Sequence, residues 1–305
     1  MAAKTNSLAR QIWRARNAYL FLLPLFAGVL TFCYYPAFSG LFLSFFEKSS
    51  ATPSRFVGFG NFAELFRDSV FTRSIGTMLL IMIPRLIIGI LVPLVMAELI
   101  FGVKRQRGQK IYRILILLPI VAPGVVGQLI WKNIYDPNYG LLTSLLRGLG
   151  IQGKEQVIDW LGDSRYVIFS VVFMGFPWVG GTAVLIYMSG LMSIGTEMIE
   201  ASLLDGAGTL RRIVSIDIPL IMGQIRYFLI FGIIGGLQDY GTQVVVTQGG
   251  PGDATYVPGY YMYLHATSFD RLGYASTIGT VIFLVIMALT AACFKFIKTK
   301  GLENY

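Results

Sequence analysis

The sequence predicts an all-α, polytopic membrane protein with six transmembrane helices and both termini in the cytoplasm. Of its 305 residues, 55% are hydrophobic and 13% are charged, whereas a soluble domain carries about a quarter charged residues. The missing charge falls in long apolar blocks, each long enough to cross a hydrocarbon core of about 30 Å. These six blocks cover residues 19–46, 75–100, 114–135, 166–194, 218–246 and 275–297.

The positions of lysine and arginine predict the orientation. Four basic residues and no acid precede the first block, and the stretch "VKRQRGQKIYR" between blocks two and three carries five more. Arg211 and Arg212 lie between blocks four and five, while the alternate loops are longer and mix signs. We therefore expect residues 1–18 to be a cytoplasmic segment and residues 1–305 to form one transmembrane domain. The first block is too long for a removed signal peptide and is predicted to stay as an anchor.

Several functional classes are disfavoured by the same composition. The net charge of +9 sits beside the apolar blocks rather than in an aromatic and basic groove, so no nucleic-acid partner is expected. Cys33 and Cys293 fall inside apolar blocks, and His265 is the single histidine, so neither a disulfide framework, a metal site nor a catalytic triad is predicted. Because the sequence has no G-x-x-x-x-G-K-[ST] run, any ATP must be handled by another polypeptide.

One polar segment interrupts the apolar pattern, "EASLLDGAGTLRRIVSIDIP" at 200–219. Ser193 or Thr196 is predicted to cap a short helix that ends at Gly206 and Gly208, and Pro219 is predicted to open the next span. Such a helix could float in the lipid interface or dock on a cytoplasmic protein. Interfacial helices usually carry basic polar faces, whereas this one is acidic, so a protein partner is the better interpretation.

The segment resembles the EAA signature of ABC importer permeases, and other stretches resemble the carbohydrate branch, the maltose and glycerol-phosphate type permeases. "GFGNFAELFRDSVFTRSIGTML" (58–79), "TQGGPGDAT" (247–255) and "GYAST" (273–277) carry this second resemblance. Ser202, Ile213 and Asp217 are mild departures from the signature. The signature residues of the predicted ATPase-coupling loop, 196–219, are Glu200, Ala201, Ser202, Asp205, Gly206, Ala207 and Pro219.

The resemblance implies a type I ABC importer permease, not an enzyme, in the bacterial cytoplasmic (inner) membrane. Its partners would be a second homologous permease, two copies of a cytoplasmic ATPase, an extracytoplasmic solute-binding protein and membrane lipid. ATP and Mg would be bound by the ATPase, with no cofactor on this chain. The substrate would be a carbohydrate, from monosaccharide to polysaccharide fragment or polyol phosphate.

Placing a polar group inside a membrane costs free energy, so polar residues within apolar blocks suggest a substrate pathway. The resemblance aligns Asp239 with a sugar-contacting amide, Trp178 with a sugar-contacting aromatic and Gly175 with a small residue of the same site. The predicted pathway residues are Gly175, Trp178, Gln238, Asp239, Tyr240 and Gln243.

Each of these residues has a plainer structural alternative. Trp178 could simply pack, and Asp239 could pair with Arg226 or another buried cation. Arg85 could face the pore or pair with an acid, and Glu98 is expected to reach water at the cytoplasmic end of its span.

A secondary transporter of a small polar solute is the competing function. Such a carrier would usually need more spans, often with an inverted repeat, and the two halves of this sequence show no similarity. Co-purification of an ATPase would distinguish the two.

Overall fold

A computed structural model describes residue 13, residues 15–153 and residues 157–296. Much of the predicted N-terminal segment 1–18, together with the basic residues Lys298 and Lys300, lies outside this part of the chain. The described residues contain one antiparallel hairpin, β1 (Phe46–Glu47) with β2 (Arg55–Phe56), and are otherwise helical or loop. The predicted all-α fold is confirmed.

The helices are numbered here in chain order. They are α1 (Arg16–Leu43, with a π-helical turn at Leu30–Tyr34), α2 (Gly60–Arg67), α3 (Ser69–Phe101), α4 (Gln106–Leu117), α5 (Gly124–Ile134), α6 (Leu141–Gly148), α7 (Val167–Phe173), α8 (Gly181–Met192), α9 (Thr196–Leu204), α10 (Thr209–Arg212), α11 (Ile218–Leu220), α12 (Met222–Gln238), α13 (Pro258–Thr267) and α14 (Leu272–Phe296).

Among the described residues, four stretches are long and apolar enough to cross a membrane as single helices: α1, α3, Met222–Thr247 and Leu272–Lys295. The number rises to six if each of two bent helix pairs is counted as one span. One pair joins Gln106–Val121 to Gly124–Ile134 at 87°, and the other joins α8 to α9 at 74°.

Block four is not the continuous helix that its hydropathy predicts. Helix α7 ends at Phe173, and α8 begins only at Gly181. Between them Gly175 and Trp178 have positive φ values of 94° and 56°, which cannot continue a right-handed helix. Pro177 also lacks the N–H that a helix would need. Apolar composition alone does not reveal such a break.

Helix α3 is the central element, in contact with α2, α4, α7, α8, α12 and α13. At its C-terminal end, Leu94, Ala97 and Ile100 form a buried core with Tyr187 and Leu191 of α8. At its N-terminal end, Phe71 forms a second core with residues of α2, α13 and α14. One helix of 33 residues therefore connects the two ends of the bundle.

Helix α1 lies at the periphery. None of the residues in its most apolar stretch is buried within the described chain, and its second half packs on α14. A helix that is apolar all round suits lipid or a second membrane subunit rather than water.

Candidate substrate pathway and EAA loop

A cavity of about 410 Å³ lies between α3 and α12. Its polar lining comes from Arg85, midway along α3, and from Asp239 and Gln243, which follow α12. The rest of the wall is mainly methionine, leucine, isoleucine, phenylalanine and glycine. The cavity is thus an apolar space with a few convergent polar groups, a composition typical of ligand sites.

Arg85 and Asp239 form an ion pair at this cavity, with Nη1 and Oδ2 3.2 Å apart. Nη2 of Arg85 also donates a hydrogen bond of 2.6 Å to the carbonyl of Val171 in α7. The partner of Asp239 is therefore Arg85 and not Arg226, whose guanidinium lies 4.5 Å from the Phe294 ring centroid. Of the two alternatives for Arg85, the structure shows both: it faces the cavity and it pairs with an acid.

Glycines in α12 permit this close approach to α3. A Cβ atom on Gly232 would overlap Leu86, and one on Gly236 would overlap Met82. A larger residue at either position would have to displace these side chains at the contact between the two helices.

Asp239 lies at a helix break rather than on a helix flank. Helix α12 ends at Gln238, Asp239 is extended at φ −68° and ψ 127°, and a π-helical turn follows at Gln243–Thr247. Oδ1 of Asp239 accepts the N–H of Gly241 at 3.2 Å. Among the described residues, the buried Oε1 atom of Gln243 has no hydrogen-bond partner. Both side chains therefore present polar groups to the cavity at a break in the span.

The other four predicted pathway residues do not line this cavity. Gln238 is exposed beside it, and Tyr240 stacks on Tyr263 with ring centroids 5.8 Å apart.

Trp178 packs edge to face against Phe173 and Phe176, so its ring has the packing role that the sequence left open as an alternative. Its buried indole N–H lacks a hydrogen-bond acceptor within the described part of the chain. Gly175 supplies the positive φ next to it.

The EAA loop follows α8 and lies near the C-terminal end of α3. Helix α9 is preceded by Gly195 with no side-chain cap, so the predicted capping by Ser193 or Thr196 is wrong. Ser193 instead donates to the carbonyl of Gly190 at 2.6 Å and closes the last turn of α8.

Helix α9 ends as the sequence predicts. Gly206 follows it with φ +71°, and the Ala207 N–H bonds the Ser202 carbonyl at 2.9 Å. Glu200, Ala201 and Asp205 are exposed, whereas Ser202 is buried. Pro219 is the second residue of α11 and so stands at the entry to the next span.

Glu98 does not reach water, contrary to the prediction. Its side chain is 7% exposed and lies 3.9 Å from Arg212 of α10, measured from Oε2 to Nη2. Arg212 Nε in turn donates to Oδ2 of Asp217 at 3.0 Å, and that carboxylate is fully buried. Sequence reasoning missed this cluster because Glu98 is far from the loop in the chain. Asp217, five positions after Arg212, was the local signal available.

A second polar cluster joins α3 to α13 and α14 at the other end. Asp68 caps α3 by accepting the N–H groups of Val70 and Phe71, and its Oδ2 accepts hydroxyls from Tyr261 at 2.6 Å and Tyr274 at 2.8 Å. Burial alone would raise the pKa of Asp68, but these hydrogen bonds outweigh it and lower the pKa below its ordinary value.

His265 packs beside this cluster, against Tyr261, Phe269 and Tyr274. Burial is the main cause that lowers its pKa to about 4, and nearby Arg271 acts in the same direction. The ring is therefore neutral at pH 7.

Comparison with known proteins places the chain in a family. Residues 11–300 match the family described as "Binding-protein-dependent transport system inner membrane component". The chain is 31% identical over 282 residues to the "Probable ABC transporter permease protein YurN" of Bacillus subtilis, covering 92% of this chain and 96% of YurN. It is 30% identical to the sulfoquinovosyl glycerol transport system permease protein SmoG of Agrobacterium fabrum, covering 87% and 85% of the two chains.

A solved structure has the same fold. The bacterial alginate ABC transporter, crystallised with an alginate pentasaccharide-bound periplasmic protein, contains a chain that superposes with a TM-score of 0.81. The identity is 22%, with 94% of this chain and 96% of that chain covered. These matches confirm a transport subunit of the inner membrane rather than an enzyme. The chain belongs to the family of binding-protein-dependent transport system inner membrane components.

Proposed function

We propose that this chain is the permease subunit of an ATP-driven importer that takes up a carbohydrate delivered by an extracytoplasmic binding protein. The names of SmoG and of the alginate transporter both specify carbohydrate substrates. The observation that carries the proposal is the cavity at the middle of α3, where Arg85 and Asp239 meet at a broken span. Transporters commonly place substrate sites at the bilayer midplane beside such discontinuous helices.

The charge of the cavity favours an uncharged, polyhydroxylated substrate. Arg85 and Asp239 compensate each other, and the remaining wall is largely apolar. A phosphate or carboxylate on the substrate would bring an unbalanced charge into this space, which carries a desolvation cost. Hydroxyl groups could instead accept from Arg85 and donate to Gln243 Oε1. Trp178 with Gly175, and Gln238 with Tyr240, would extend the pathway beyond this cavity.

The EAA loop is proposed to dock on a cytoplasmic ATPase, so its end of the bundle and both chain termini would face the cytoplasm. Helix α9 exposes Leu203 and Leu204, and α10 exposes Leu210. Exposed leucines beside Glu200 and Asp205 fit a protein surface better than water. Glu200, Ala201, Asp205, Gly206 and Ala207 would form the contact, with Ser202 and Pro219 fixing the loop from within.

The complete transporter would contain a second homologous permease and two ATPase copies, which would bind ATP and Mg. The exposed apolar surface of α1 is available to lipid or to that second permease.

The experiment that tests this function is ATP hydrolysis in proteoliposomes that contain the complex purified on this chain, together with its binding protein. Uncharged oligosaccharides would be compared with acidic saccharides and polyol phosphates of matched size. We expect an uncharged saccharide to stimulate hydrolysis several-fold, and omission of the binding protein to abolish the response. Hydrolysis that no carbohydrate stimulates would reject the substrate class. Uptake by the chain without any ATPase would instead favour the secondary transporter.

A further inference from the structure

Three ionisable side chains meet where α3, α10 and the π-helical turn at Ile213–Asp217 converge. Arg212 is hydrogen bonded to Asp217 at 3.0 Å and lies 3.9 Å from Glu98. The side chains of Arg212, Glu98 and Asp217 are 16%, 7% and 0% exposed, so the cluster is shielded from water. It joins the EAA loop, in its second half, to the last turn of the central helix.

The cluster is unbalanced, because two carboxylates share one guanidinium. Within the described residues, neither oxygen of Glu98 has a hydrogen-bond donor, and Oδ1 of Asp217 also lacks one. The separation of 3.9 Å exceeds hydrogen-bond length, so Glu98 receives charge attraction from Arg212 without a hydrogen bond. A buried carboxylate left without donors is costly. Glu98 is thus poorly satisfied in this arrangement, and Arg212 is the cation within reach.

We propose that Arg212 is the positioning residue that connects the EAA loop to α3, and that it exchanges its hydrogen bond between Asp217 and Glu98 during transport. The proposal rests on the proposed function, since it takes this loop as the ATPase contact. A shift of about 1 Å would bring Nη2 within hydrogen-bond distance of Glu98. A small displacement of the loop is therefore enough to bring Glu98 into hydrogen bonding with Arg212.

The exchange would reach the substrate cavity through α3 itself. Arg85 and Glu98 are on the same helix, with Pro93 between them, about 20 Å apart along its axis. Leu94, Ala97 and Ile100 pack the end of that helix into the buried core with α8. Because a close-packed core moves as a unit, a pull on Glu98 would tilt α3 and displace Arg85 relative to Asp239.

The test compares Glu98→Gln, Arg212→Gln and the double variant in proteoliposomes that contain the whole complex. The measured quantity is substrate transported per ATP hydrolysed, with ATPase co-purification as a separate measure of assembly. We expect both single variants to assemble and to lose at least tenfold in this ratio. The double variant should be no worse than Arg212→Gln alone, since that variant already removes the Glu98 contact together with the Asp217 hydrogen bond. Arg212→Lys should recover part of the loss.

Arg107→Gln is the matched control, because it removes the same charge from an exposed position of α4, outside the EAA loop. It should leave the ratio unchanged, and an equal loss there would attribute the effect to net charge and overturn the proposal. A wild-type ratio in Glu98→Gln would show that Glu98 is only an unsatisfied buried acid. If the wild-type complex transports substrate with ATP hydrolysis and the variants transport as much substrate per ATP, this inference fails but the proposed function stands. If no ATPase accompanies the wild-type chain, the proposed function fails and the inference falls with it.

Discussion

Arg85 Nη1 and Asp239 Oδ2 lie 3.2 Å apart, and this pair joins the middle of α3 to the break that follows α12. Through its second contact, to the Val171 carbonyl, Arg85 also holds α7. Three separate membrane segments are therefore tied together by one guanidinium at the wall of the cavity. A movement of any one segment changes the shape and charge of that space.

Asp239→Ala should lower transport at least tenfold while the complex still assembles with its ATPase. The substitution leaves Arg85 with an uncompensated charge in an apolar cavity. Because the two side chains are 27% and 37% exposed, we expect a stability loss of only about 1–3 kcal/mol. Uptake assays and thermal unfolding of the purified complex would measure the two effects.

The control for that prediction is Asp253→Ala. Asp253 pairs with Arg73 at 2.8 Å, but both side chains are largely exposed. Such a surface pair contributes about 0–1 kcal/mol, so neither transport nor stability should change measurably. Equal losses in the two variants would contradict a special role for the cavity pair.

Tyr261→Phe should destabilise the protein by about 1–2 kcal/mol, since it removes a hydrogen bond to the Asp68 carboxylate. Asp68→Ala should cost more, because the helix cap and both tyrosine contacts are lost together. Chemical denaturation monitored by tryptophan fluorescence would give the difference. Tyr139→Phe, at a position 90% exposed, is the matched hydroxyl deletion and should have no effect.

His265 should make stability fall as the pH falls from about 6.5 to about 4. The native pKa is lowered to about 4, whereas the unfolded chain titrates near 6.5. Between these values the unfolded state binds more protons, so acidification favours unfolding. The loss should be on the order of 3 kcal/mol at pH 4. Asp68, whose native pKa is also lowered, adds a further loss only below about pH 4.

The measurement is the unfolding free energy at several pH values for wild type and for His265→Phe. Phenylalanine keeps an aromatic ring among Tyr261, Phe269 and Tyr274 but cannot bind a proton. The pH slope between 4 and 6.5 should therefore become much shallower in the variant. An unchanged slope would assign the effect to other groups.

Features fixed by local chemistry are the ones that the sequence predicts. Most of the apolar blocks anticipate helical spans, and Gly206 ends α9 with a positive φ where the pattern indicates a helix end. Pairings between distant segments are different, because Arg85 and Asp239 are 154 positions apart and no local pattern relates them. The break at Gly175–Trp178 was missed for another reason: hydropathy measures transfer into lipid rather than backbone conformation, so an apolar block counts as one span even where Gly175 and Pro177 indicate a break.

The EAA loop offers a paired test of its own geometry, with Gly206→Ala against Gly208→Ala. Gly206 has φ +71°, and Gly208 has φ −67°; at both positions the space that a methyl group would occupy has no other atom within 4 Å. Alanine at 206 should therefore cost about 1–2 kcal/mol in backbone strain, while alanine at 208 should be tolerated.

If the turn at Gly206 presents α9 to the ATPase, Gly206→Ala should reduce ATPase co-purification and transport, and Gly208→Ala should not. Glu200→Lys, on the exposed face of α9, should also reduce co-purification, because it reverses a charge without straining the backbone. If ATPase co-purification falls in Glu200→Lys but stays at the wild-type level in Gly206→Ala, the ATPase recognises the charge of α9 but not the turn that follows it. Normal transport in Glu200→Lys and Gly206→Ala alike would show that coupling needs neither the charge of α9 nor its turn, and would leave the exposed Leu203 and Leu204 as the remaining contact of that helix.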